Sequence, residues 1–150
     1  MKYILALFIL FVPVFGFSKT LATCTTQTEH AYYANIGIIQ APSAGWKISS
    51  DPGTVTLNQL SEGDYDILFI DATKEIHSAK ENGAQIKLLW KNIVSMAFSA
   101  FYPNQGIEIY HFMKENTGKY LLTILTTKEG DTLFYKSSLE NGTCSFVSLD

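Results

Sequence analysis

Cys24 and Cys144 are the only two thiols of this chain, and their nearest chemistry is to pair with each other. Three histidines raise a second question, that of a metal. Glu75 and His77 alternate onto one strand face, while His111 sits on a later strand with Ile109 and Met113. A shared site needs the segments 75–80 and 106–114 to be neighbours. No His-x-His, His-Glu-x-x-His or paired-Cys spacing would pin an ion there. The expectation is therefore no metal and no cofactor. Asp64, Asp66 and Asp71 cluster, yet Asp66 and Asp71 are an odd number of residues apart and fall on opposite faces of a strand. A glycosidase pair needs two carboxylates on one cleft, so this cluster reads as turn chemistry and a solvated strand end. No Ser stands in Gly-x-Ser-x-Gly, and no glycine-rich phosphate loop opens a helix. No catalytic residue is assigned.

The beginning of the chain sets the compartment expected for those thiols. Lys2 supplies a positive start, Tyr3 to Phe17 is uncharged and apolar, and Gly16-Phe17-Ser18 offers small residues for a signal peptidase. Residues 1–18 read as a signal peptide and 19–150 as a single all-β domain, periplasmic or secreted. An oxidising destination favours a Cys24–Cys144 disulfide. Closing a loop of about 120 residues is worth on the order of 5 kcal/mol in the chain-entropy model. Leu21-Ala22-Thr23-Cys24 has the outline of a lipoprotein box, but Thr23 is large for its place and Lys19 separates the box from the apolar core. The expectation is no lipid on Cys24. No later segment is apolar over the roughly 20 residues a membrane helix needs.

Charge narrows the partners. The formal charge of −3 becomes −4 once Lys2 is removed, and the eleven basic side chains are all Lys. Arg gives the two-pronged grip on phosphate. A mildly acidic chain without it is a poor match for nucleic acid, which calls for a basic patch.

The elements that must hold these residues are strands. Ser61-Glu62-Gly63-Asp64, Glu81-Asn82-Gly83, Pro103-Asn104-Gln105-Gly106, Glu115-Asn116-Thr117-Gly118, Glu129-Gly130-Asp131 and Glu140-Asn141-Gly142 all read as turns. Between them the pattern predicts strands over 54–60, 65–72, 75–80, 84–91, 93–102, 106–114, 119–127 and 132–139, with further short ones at 46–50 and 144–149. Tyr65–Asp71 and Tyr120–Leu125 are apolar on both faces and read as covered central strands. Thr26–Ala34, with Glu29 in its first turn, reads as a short N-terminal helix. The fold expected is an all-β antiparallel meander of about eight strands, closed or partly open as a barrel.

Across roughly residues 46–139 that succession resembles the architecture of the lipocalins. Their Gly-x-Trp is absent, since Gly45 and Trp46 are adjacent, and no Thr-Asp-Tyr follows in a later turn. The likeness is one of architecture and implies a barrel with a ligand cavity.

Aromatic residues are in surplus. Phe98, Tyr102, Tyr110 and Phe112 come from successive strands and are the candidates for lining a pocket or an interaction face. The function expected is an exported, non-enzymatic binding protein whose partner is a small apolar ligand or an envelope protein. The alternatives are a metal-dependent or hydrolytic enzyme using His77 and His111, and an inhibitory or structural protein that binds by a loop or by strand addition.

Overall fold

A computed structural model describes residues 18–70, 74–129 and 135–150. The expected signal peptide, apart from its last residue, lies outside them, as do Asp71 and Phe134. Ten strands follow in order: β1 (Lys19–Tyr33), β2 (Gly45–Ser49), β3 (Thr54–Ser61), β4 (Asp64–Ile70), β5 (Ile76–Ser78), β6 (Gln85–Lys91), β7 (Ser95–Tyr102), β8 (Gly106–Lys114), β9 (Tyr120–Glu129) and β10 (Tyr135–Val147). They form one antiparallel sheet in the order β5-β4-β3-β1-β10-β9-β8-β7-β6, with β2 also paired to β1. The sheet curls until β4 and β6 approach each other, yet β5 and β6 share no ladder. The all-β expectation holds, in its partly open form.

Strand β1 departs most from the sequence reading. The helix expected over Thr26–Ala34 is the second half of this strand. Thr20, Thr23, Thr25, Thr26 and Thr28 supply a β-branched density that favours extended backbone over helix. The helical element among the described residues is a 3-10 turn at Ala41–Ser43. One edge of β1 carries two strands in tandem, β3 on Lys19–Thr25 and β2 on Glu29–Tyr33. Between them the strand bulges, and Thr26 instead exchanges hydrogen bonds with Gly53, whose N–H donates to Oγ1 at 2.8 Å.

Strand β10 overturns a second expectation. Glu140-Asn141-Gly142 is not a turn. It lies mid-strand, paired to β1 on one side and β9 on the other, so the two segments expected around it are one continuous strand. Gly142 is there for close approach: a Cβ at this site would sit 2.5 Å from the Thr25 carbonyl oxygen, beside the β1 bulge. Other turns are where expected, as at Gly63, whose φ of +74° suits the tight β3–β4 reversal, while Gly130 and Asp131 of the turn expected at Glu129-Gly130-Asp131 lie outside the described residues.

Alternation then divides the sheet into two faces. Inside the curl, Leu57, Ile67, Met96, Phe98, Phe112 and Leu122 are wholly buried, and Phe98 meets the edges of Tyr65 and Phe112. The outer face is open over its middle strands, and covered near His111 and Ala97 by Trp90. Leu125 of the central strand β9, expected to be covered on both sides, is exposed.

Cys24 and Cys144 stand directly opposite each other on β1 and β10, with Cα atoms 3.8 Å apart, and form a disulfide across 120 residues of sequence. Replacing both by Ser should lower the unfolding free energy by about 3–5 kcal/mol. Urea titration of the oxidised protein beside the double variant measures this; equal midpoints and slopes would refute it.

Candidate functional site

Above the apolar floor, the inner face turns polar. Glu29 of β1, Glu108 of β8, Lys128 of β9, and Lys136 and Glu140 of β10 border a cavity of about 330 Å³, with Asp51 from the loop after β2 and Phe69 from β4. Register explains the gathering. Glu29 stands directly opposite Glu140, and Glu108 lies two residues before Tyr110 on the same face of β8.

Each charge has a distinct environment. Glu108 is buried and takes three donors: Tyr110 Oη at 2.6 Å, Tyr102 Oη at 3.1 Å and Lys128 Nζ at 2.7 Å. Burial first, and then the Glu108 charge, push both phenols above their ordinary range, so they stay protonated and donate. Glu29 holds Lys136 Nζ at 2.5 Å. Glu140 has no ion pair within 4.0 Å among the described residues. Burial raises its carboxyl above the usual carboxylate range, Glu29 and Glu108 add to the rise, and the Thr26 hydroxyl bond and Lys136 oppose it.

The aromatic candidates separate. Phe98 and Phe112 pack in the floor and do not border the cavity, Tyr110 does, and Tyr102, opposite Gly106 at the end of β7, donates to Glu108. The structure does not bring His77 and His111 together. His77 pairs with Phe69, on the inner face, and stacks on its ring at 5.3 Å; His111 is on the outer face of β8 against Trp90. Its Nε2 is buried there without a hydrogen-bond partner. No group of three or more His, Cys, Asp or Glu among the described residues is placed to hold a metal ion. Asp66 corrects the expectation of a solvated strand end: it is buried and accepts from Ser78 Oγ at 2.7 Å and from the N–H groups of Ile67 and Lys80, tying β4 to the turn after β5.

The outer face has the opposite character. Across β2, β1, β10, β9 and β8 the paired rows run Trp46, Tyr32, Ser137, Thr127, Ile107 and then Ile48, His30, Leu139, Leu125, Ile109. No Lys, Asp or Glu interrupts these ten positions. Trp46 is 72 % exposed, Ile48 69 % and Leu125 50 %. The Trp46 ring meets Tyr32 edge-on at 5.5 Å, and a shallow groove of about 410 Å³ runs between Trp46, Ile107, Ile109, Leu125 and Leu139.

The acidic mouth went unread because its members come from four strands and none forms a local motif. One signal was available: Glu108 has the parity of Tyr110 and Phe112, which puts a charge on the side that also carries the core. Glu108→Ala should cost about 3 kcal/mol, since it strands two buried phenols and a lysine; urea denaturation tests this, and a loss below about 1 kcal/mol would contradict it. Glu140 carries a sign as well. With its carboxyl raised in the fold, the associated stability is complete below its unfolded value of 4.5 and lost as pH rises through the raised value. Glu140→Gln should therefore melt higher than the wild type at pH 8 and no higher at pH 4, and a difference independent of pH would count against it. Compared with known proteins, the chain matches no family model, no curated protein and no solved structure.

Proposed function

We propose that this protein is an exported, non-enzymatic binding protein, periplasmic or secreted, that meets a protein partner on the outer face of its sheet. The observation that carries this reading is the uncharged apolar field from Trp46 and Ile48 across Leu139 and Leu125 to Ile107 and Ile109. A soluble domain rarely leaves so large a contiguous apolar surface open to water, and where it does the surface marks an interface. Trp and Tyr at one end of the field are the residue types that dominate interface energetics. Ser137, Thr127 and His30 between the apolar positions supply hydrogen-bonding groups without the desolvation cost of a charge. Attachment to a lipid surface draws on Lys or Arg beside the apolar residues, and no Lys lies within this field.

What favours a protein over a small apolar ligand is the filled interior. Phe98, Phe112, Met96 and Leu122 occupy the space in which a barrel would hold such a ligand. Export is supported by the disulfide, which suits an oxidising compartment. A sulfur engaged in that bridge cannot also carry a lipid.

Leu125→Lys and Trp46→Ser alter only exposed side chains, so both should melt within a few degrees of the wild type. In pull-downs from the native host's envelope fraction, each should lose at least about tenfold of the captured partner, the scale of one hot-spot side chain. Retention of the same partner at wild-type level by both variants would refute the assignment.

A further inference from the structure

The mouth on the inner face is separate from the outer field and has its own unmet chemistry. Four carboxylates border it, Glu29, Asp51, Glu108 and Glu140, against two ammonium groups, Lys128 and Lys136. Two of the carboxylates already hold an alkylammonium, Glu29 that of Lys136 and Glu108 that of Lys128. Glu140 lies between them without one. Thr26 borders the cavity beside it, its hydroxyl accepting from the Gly53 N–H at 2.8 Å. The walls are not merely acidic: Val55, Phe69, Tyr110 and Ile124 give the cavity an apolar and aromatic lining. Its volume of about 330 Å³ matches the lower end of small-molecule sites.

We propose that this mouth binds an organic cation, an alkylammonium or guanidinium group, whose charge pairs with Glu140 while its carbon chain lies against Phe69, Val55 and Ile124. The acid–base arrangement favours such a ligand over a metal ion. Among the described residues no three ligating groups converge, and the neighbouring carboxylates already bind the same ammonium chemistry from the protein's own lysines. An anion would meet a surplus of negative charge. A neutral ligand would leave Glu140 partly buried and unpaired.

Binding requires Glu140 ionised, so it strengthens as pH rises through that group's raised value. The charged and titratable groups facing it are Glu29 from β1, Asp51 from the β2–β3 loop, Glu108 and Tyr110 from β8, Lys128 from β9 and Lys136 from β10. His77, stacked behind Phe69, is the further titratable group on the β4–β5 side.

The test is calorimetry on the full purified protein with three probes of equal length: 1,6-diaminohexane, 1,6-hexanediol and adipate. The diamine should bind at least about tenfold tighter than the diol or the dianion, the scale of one charge-assisted contact. It should weaken by about tenfold in Glu140→Gln and again in the wild type at pH 4 compared with pH 8. The wild-type pH series stands alone should the variant not fold. A blocked lysine, Nα-acetyl-lysine methylamide, identifies the source of the cation. Tighter binding than the diamine assigns a side chain of a protein, and weaker binding assigns a free amine. Diol or adipate binding as tightly as the diamine, or an unchanged diamine affinity in Glu140→Gln, would overturn the proposal. The outer-face reading would be untouched by that result, since none of its residues borders the cavity.

Discussion

Strands β1 and β10 lie side by side from Ala22–Val147 to Tyr33–Lys136, and nearly everything else is positioned by that ladder. It joins residues far apart in sequence, which is costly in loop-closure entropy, and the Cys24–Cys144 bridge removes much of that cost from the unfolded chain. The same register sets Glu29 opposite Glu140, lodges Gly142 against the β1 bulge and aligns Tyr32 with Ser137. A slip of one residue would exchange the faces, carrying carboxylates outward and apolar side chains inward. The sulfur bridge and the glycine both oppose such a slip, one by covalent linkage and the other because no larger residue fits.

One alternation thus yields two surfaces of contrary kind. On the inner side, aromatic and aliphatic residues fill the floor, and charge gathers at the mouth. Glu108 is buried there, yet supplied with three donors. It follows the general rule that a buried charge persists when its hydrogen bonds are complete. On the outer side, the strands that hold the carboxylates inside present Leu139, Leu125 and Ile109 to solvent.

Much of this fold was legible because turns are local. Gly63, Asn104, Gly106 and Gly118 adopt positive φ at the reversals where Gly and Asn were read as turn residues, and the strands between them follow. Asn141-Gly142 misled for an instructive reason. Glycine marks a tight reversal and a close strand approach alike, and only the neighbouring strand, whose Thr25 oxygen would lie 2.5 Å from a Cβ added at Gly142, distinguishes them. The segment at Thr26–Ala34 misled because Glu29 suggested a helix start, whereas the threonines around it and the strands on both sides favour extended backbone. The disulfide was legible from the thiol count. The mouth was not, because its charges meet only after four strands are in register.

The order of strands places the opening of the half-barrel in the middle of the chain, between β5 and β6, while the first and last strands meet at its centre. The described strands therefore form two sets of five, β1–β5 and β6–β10, joined in sequence by the short reversal around Lys80–Gly83. Each half contributes one cysteine. A protease that severed that reversal would not separate the pieces: sulfur and the central ladder would still hold them, and the cut would be seen as two fragments only after reduction.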